Sequence, residues 1–264
     1  MGTCKGVILL SITKNPVLVS ICLPIYNEIA TIDRAVHSVL SQTVKNFELI
    51  IIDNCSTDGS FQKIQKYKDP RIKIWQNAKN LGWRLNSNLA LTKVTGKFVV
   101  TLHGGDYYKH HRYLERVVDL LEGNPNVGVI HFVSIQAFQK VFRSTRLMRS
   151  ADYYSFIASL RYMPAPPLTA YRNIAIQDSQ YYAKNFWTGE ARLSLHIAKG
   201  GYDALIEVNH YIERTASPNG ERTQPVRLKE RDLDRFDFFT EFKQDPNIKK
   251  QDLLFLQKLL NVNS

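Results

Sequence analysis

Three stretches of the chain carry side chains that can do chemistry. Thr101–Asp106 reads TLHGGD: an apolar run (Phe98, Val99, Val100) gives way to an imidazole, two glycines and a carboxylate. Such a segment is either the mouth of an active site with few acids or a turn that the glycines permit. A hard divalent ion is held by oxygen, and one or two carboxylates suffice when phosphates complete its shell. Asp106 suits that role, and His103 is acceptable to Mn²⁺ but poor for Mg²⁺. Asp53–Gly59 reads DNCSTDG directly after an apolar strand pattern. Gly189–Gly201 reads GEARLSLHIAKGG and sets Glu190 in the first turn of an amphipathic helix, where an acid also complements the helix dipole.

These residues need elements to position them. VSICLPIY (19–26) reads as a buried strand, ELIIID (48–53) as a second apolar strand, and IKIWQN (72–77), FVVTLH (98–103) and GVIHFV (128–133) as further strands. Helical spacing runs through 29–42, 56–67, 84–94 and 111–123, with capping residues opening the second. Strand and helix alternate, which predicts a largely parallel sheet covered on both faces. Sites in such sheets lie outside the carboxyl ends of the strands. Ile25–Glu28, Asp53–Asp58, Asn77–Gly82 and His103–Asp106 then share one rim. Beyond it come a proline-rich loop entering a strand (161–172), the helix 189–201 with glycines suited to a left-handed cap, a strand at 204–208, and a charged tail with a leucine-rich helix at 251–261.

The 264 residues carry a net charge of +11, a balance that favours anionic partners, although the basic residues are dispersed and no nucleic-acid-binding pattern accompanies them. No apolar run approaches the ~20 residues of a membrane span. Cys4, Cys22 and Cys55 are widely spaced and odd in number, which argues for reduced thiols in a cytoplasmic protein and against a zinc site.

VSICLPIYNE (19–28), SVLSQTVKNFELIIIDNCSTDGS (38–60), NLG (80–82), NSNLAL (86–91) and GKFVVTLHGGDYY (96–108) together resemble the family 2 glycosyltransferases. The resemblance runs from about Val19 to about Ser217. It implies an α/β protein of the GT-A (Rossmann-like) nucleotide-diphospho-sugar transferase fold, with a mostly parallel central sheet flanked by helices and a C-terminal helical appendage. The implied division is an N-terminal extension (1–18), a glycosyltransferase domain (19–217) with a nucleotide-sugar half (19–106) and an acceptor half (107–217), and a helical tail (218–264).

Residue by residue, the resemblance sets Pro24, Tyr26 and Glu28 at the turn that meets base and ribose, and Asp53 at the acid that reads the nucleobase edge. Asn54 stands where the family has a second acid. Asp58 fits a helix cap as well as a ligand. Asn80 and Gly82 match an N-x-G turn. Ser87 replaces an arginine of the diphosphate site, with Arg84 nearby as a substitute or an ordinary helix-face residue. His103, Gly105 and Asp106 stand at the three metal-site acids. Leu193, Leu195, His196 and Gly201–Tyr202 fall into register only when Glu190 occupies the general-base position. Arg214 echoes a diphosphate contact or is an ordinary surface residue; apart from the resemblance, Trp187 either stacks on an acceptor sugar or is buried, as tryptophan usually is.

The implied activity is inverting transfer from a nucleotide-sugar, most often a UDP-sugar, to a saccharide or lipid-linked acceptor. It would use Mn²⁺ or Mg²⁺ at the cytoplasmic face, with the basic tail touching an anionic membrane. The alternatives are a nucleotide-sugar binder that no longer transfers, motivated by His103, Gly105, Ser87 and Gly189, and a nucleic-acid binder resting on charge alone.

Overall fold

The structure, a computed structural model, describes residues 16–133, 146–158, 168–178, 189–208, 211–213, 245, 246, 248–251 and 254. Trp187, Arg214, the loop 164–167 and nearly all of the tail lie outside the described residues.

Four parallel strands build the first part of the sheet: β1 (Val19–Ile25), β2 (Phe47–Asp53), β3 (Ile72–Gln76) and β4 (Phe98–Thr101). Between them run α1 (Ile32–Leu40), α2 (Ser60–Ile64) and α3 (Trp83–Leu91). A two-residue strand β5 (Tyr107–Tyr108) follows, then α4 (Tyr113–Glu122), β6 (Val127–Val133), β7 (Arg146–Met148) and α5 (Ser150–Ala158). The described chain continues with β8 (Thr169–Arg172), α6 (Asn173–Asp178), α7 (Gly189–Lys199), β9 (Asp203–Val208) and β10 (Ile212–Glu213). The large sheet has the order β3-β2-β1-β4-β8-β6-β9-β7. It departs from a purely parallel sheet at two strands: β8 is antiparallel to both neighbours, β4 and β6, and β7 is antiparallel to β9.

Strands β1 and β2 are buried along their whole length, so their residues serve both faces and read as continuous apolar runs. Val19, Ile21, Leu23, Leu49, Ile51, Val100 and Ile130 meet the apolar stripes of α1 and α4, including Val36, Val39, Leu114 and Val117. On the other face Ile50, Ile52, Val99, Val129 and Ile206 meet Tyr153 and Ile157 of α5, Ile176 of α6, and Leu195 and Ile197 of α7. Each such fully buried aliphatic side chain contributes about 1.5–3 kcal/mol relative to exposure. Gly201 follows α7 at φ +86°, the left-handed residue that the glycine pair suggested.

At the amino ends of the strands a polar cluster ties β1, β2, β3 and β4 together. Glu48 of β2 accepts from Ser20 Oγ at 2.5 Å, Thr95 N at 2.7 Å and Lys73 Nζ at 2.5 Å. Ser20 Oγ in turn accepts from Gly96 N at 2.8 Å. The described part of the tail packs on the domain: Ile248 is buried, Lys249 N donates to Ser155 Oγ at 2.8 Å, and Tyr154 Oη donates to Asp245.

Candidate functional site

Strands β1, β2, β3 and β4 run the same way, so their carboxyl ends share one rim. The exits of β1 and β2 are stitched into one unit. Asn27, at φ +53°, receives Thr57 N on Oδ1 at 2.8 Å and donates its own N–H to Ser56 Oγ at 2.9 Å. Glu28 N donates to Ser60 Oγ at 2.8 Å, and Ile29 N to Asp58 Oδ2 at 3.0 Å. Asp58 also takes Ser60 N and Ser60 Oγ on Oδ1 at 2.9 and 2.6 Å. Burial pushes the Asp58 carboxyl up, but these hydrogen bonds hold it below the usual range. Asp58 is thereby committed to holding two loops together at the start of α2.

Pro24 sits in β1 opposite Ile52. The β1–β4 pairing ends at Cys22, so a residue without an N–H at position 24 removes no ladder bond on that side. Tyr26 follows and is exposed at the rim.

Asp53 ends β2 and is 0% exposed. Its Oδ2 accepts from Ser56 N at 3.0 Å and Gln76 Nε2 at 3.1 Å, while Oδ1 is buried and has no hydrogen-bond partner among the described residues. A buried carboxylate oxygen without a donor is costly. It is offset when a ligand N–H arrives, and an imide or amide N–H is the matching group. Asn54, by contrast, spends its whole side chain inside the protein, on Asn77, Asn80 and Leu81 N. Asn80 belongs to the turn that leads through Gly82 into α3, whose first turn holds Trp83 and Arg84; the Arg84 guanidinium lies 5.7 Å from the Trp83 ring.

The stretch 101–106 leaves β4 as a tight loop in which Asp106 N donates to His103 O at 2.9 Å. Asp106 is 4% exposed and His103 half-buried. A methyl group on Gly104 would stand 2.6 Å from Glu28 Cγ and 3.0 Å from its Cβ. Glycine is therefore required there by the approach of Glu28, which also takes Thr31 Oγ1 at 2.7 Å. On the other side of the loop Arg34 stacks on Tyr107 at 4.3 Å and reaches Gly105 O at 3.5 Å.

Among the described residues no group of three or more His, Cys, Asp or Glu side chains is placed to hold a metal. A cage made by protein alone does not fit. A divalent ion held beside Asp106 would need diphosphate oxygens to complete its shell.

The antiparallel pair β5–β10 is a feature that periodicity could not reveal, since each strand has two residues. It sets Glu213 opposite Tyr107, next in sequence to Asp106, and Lys109 pairs with Glu213 at 3.0 Å. Glu190 lies in the first turn of α7, on the element the sequence predicted, and Trp187 and Arg214 lie outside the described residues.

Residues 20–179 match the family described as glycosyl transferase family 2. The chain belongs to glycosyl transferase family 2. The Escherichia coli UDP-Glc:alpha-D-GlcNAc-diphosphoundecaprenol beta-1,3-glucosyltransferase WfgD is 34% identical over 107 residues, 40% of this chain and 42% of that protein. A second such E. coli glucosyltransferase, WfaP, is 42% identical over 91 residues, 34% of this chain and 36% of that protein. The matched stretch thus spans less than half the length of these relatives. Among solved structures, S. aureus TarS 1-349 in complex with UDP-GlcNAc superposes with a TM-score of 0.72 at 18% identity, over 93% of this chain and 72% of that one. The mannosyltransferase PcManGT from Pyrobaculum calidifontis, in complex with GDP-Man and Mn²⁺, superposes with a TM-score of 0.72 at 18% identity, over 95% and 70%. The family 2 chain therefore has the GT-A fold.

Proposed function

We propose that this family 2 chain is an inverting glycosyltransferase that moves a sugar from a nucleotide-diphosphate sugar to a hydroxyl of a saccharide or lipid-linked acceptor. The observation that carries the donor half of this reading is Asp53: its unpartnered, buried Oδ1 stands at the head of the rim beside exposed Tyr26. The imide N–H of uracil or the N1–H of guanine satisfies it, and Tyr26 is available to lie against the base. The UDP and UDP-GlcNAc complexes of TarS and the UDP-Glc specificity in the names of WfgD and WfaP favour uracil. The diphosphate then extends toward Arg84, His103 and Asp106, with Arg214 as a further contact.

Glu190 supplies the base. Its carboxylate takes the proton from the acceptor hydroxyl as that oxygen attacks the anomeric carbon opposite the leaving diphosphate. Trp187 stacks on the acceptor sugar. A divalent ion bound at Asp106, with His103 beside it, would offset charge on the departing nucleoside diphosphate. The diphosphoundecaprenol acceptors in the names of WfgD and WfaP favour a lipid-linked acceptor for this chain too. With it goes peripheral work at the inner face of an anionic membrane, assisted by the basic tail. No helix among the described residues is long and apolar enough to cross a membrane.

The deciding experiment is a thermal-shift screen of nucleoside diphosphates and nucleotide-sugars with Mn²⁺, Mg²⁺ or chelator, because a ligand that binds only the native state raises the transition temperature. A UDP-sugar with Mn²⁺ should give the largest rise; no rise with any nucleotide would end the reading. Glu190→Gln should bind donor as the parent does and lose transfer by a factor of about 10²–10⁴. The thinned acid set of residues 101–106 favours one rival, a nucleotide-sugar binder without transfer. Donor binding by the parent chain with no turnover on any acceptor would establish it.

A further inference from the structure

Asn54, Asn77 and Asn86 close a ring through the β2 backbone at Ile52 O, and Asn80 hangs from Asn54 outside that ring, beneath the donor side of the rim. Asn54, at the end of β2, accepts on Oδ1 from Asn77 Nδ2 at 3.0 Å and from Leu81 N at 2.9 Å. Its Nδ2 donates at 2.7 Å to Asn80 Oδ1, which also takes Gly82 N at 2.8 Å. Asn77 Nδ2 donates a second hydrogen to Asn86 Oδ1 at 2.8 Å, and Asn86 Nδ2 returns to β2 by donating to Ile52 O at 3.0 Å. Backbone groups fix how these amides face. Leu81 N and Gly82 N require oxygens at Asn54 and Asn80, and Ile52 O requires a donor from Asn86.

The ring needs carboxamides, since each of Asn54 and Asn86 donates and accepts at once. A carboxylate at 54 would set oxygen against Asn80 Oδ1, already committed to Gly82 N. Position 54 is where the chain departs from the family's second acid, position 86 precedes the serine that replaces the family's arginine, and Asn77 bonds to both. Asn54 and Asn86 are each 2% exposed, so neither meets solvent. The ring is wired to the proposed base-reading acid as well: Asn77 N donates to Asp53 O at 2.8 Å, and Gln76 next to it holds Asp53 Oδ2 at 3.1 Å.

We infer that Asn54, Asn77 and Asn86 form one positioning unit for the nucleotide, holding the 77–82 turn and the start of α3 against Asp53 without adding a second buried charge. This rests on the donor site proposed above. None of the three touches the donor; they act through the turn, through Gly82 and through Asp53.

The test is calorimetric titration of UDP and GDP, with Mn²⁺, into the full chain and into Asn86→Ala, Asn54→Ala and the double variant. Alanine is a strong helix former, so Asn86→Ala keeps α3; Asn54→Ala gives an independent opening of the same ring. Each single change should weaken the preferred nucleotide about three- to tenfold, the net value of one or two hydrogen bonds. The double variant should lose less than the product of the two, because both cuts open one ring. In donor turnover the KM should rise while kcat stays within about twofold of the parent, a split that mere loss of stability does not produce. Parent binding with unchanged affinity in Asn86→Ala overturns the inference alone. Full multiplicativity in the double variant, or an equal fall in kcat, overturns it too. No nucleotide binding by the parent chain overturns the donor reading and the inference together.

Discussion

Gly104 shows how one residue can be dictated by another far away in sequence. As a sequence it reads as freedom for a turn, whereas in the fold it is the floor on which the Glu28 side chain rests. Gly104→Ala should therefore destabilise the chain by about 1–3 kcal/mol, as other insertions into packed space do. The same change in a Glu28→Ala background should cost clearly less, because the Glu28 Cγ that blocks the new methyl is gone. Urea denaturation of the parent and the three variants measures both; equal costs in the two backgrounds would show that the loop strains elsewhere. Asp53 and Asp106 were legible as candidates from their place after apolar strands. Asn54 was legible as a departure from the family's acid, but its partners Asn77 and Asn80 lie 23 and 26 residues on, and no local pattern announces them. Asp58 is the reverse case: residue type alone left cap and ligand open, and its bonds to Ser60 and Ile29 N account for both oxygens.

Among the elements, the parallel strands were the readable ones, most plainly β1, β2 and β4, each an apolar run buried on both faces, while β3 was readable though only half-buried. The helix α5 (SADYYSFIA) was not readable, because two tyrosines and a serine share its buried face with Ile157 and Ala158 and blur the apolar stripe. Nor were β5 and β10, whose two residues each hold no period. What aligns the readable strands is partly Glu48. Burial pushes its carboxyl up, yet the hydrogen bonds from Lys73, Ser20 and Thr95 outweigh that and hold it below the usual range. A group depressed on folding adds stability above its unfolded pKa of about 4.3 and loses it as pH falls through the lower, folded value. Glu48→Gln should thus cost about 1.5–3 kcal/mol at pH 7, the value of hydrogen bonds to a buried charged group. The gap between parent and variant should narrow as pH falls below about 4. Unfolding curves at pH 7 and pH 3 check this, and a gap that stays constant would assign the loss to packing.

On the scale of the whole molecule, the tail offered three fates to the sequence: packing on the domain, a contact between copies, or a membrane. Its described part packs on the domain through Ile248, with Lys249 bridging Asp152 at 2.6 Å and Asp245 meeting Lys199 at 3.6 Å. Deleting 245–264 should strip that cover from α5 and lower the melting temperature by roughly 5–10 °C, from about 2–3 kcal/mol of lost burial. A scan by calorimetry decides it, and an unmoved transition would make the contact energetically idle. The antiparallel strand β8 has a consequence of another kind. Phe98 of β4 waits for Arg172 to close the sheet, so the flank of β4 stays bare while some seventy residues are still to be made. At a synthesis rate of about 5–20 residues per second that is roughly 4–14 s. For that interval every ribosome displays an open strand able to template pairing with its neighbour's nascent chain. The yield of this protein should thus fall with traffic on the messenger as well as with loss of stability in what it finally folds into.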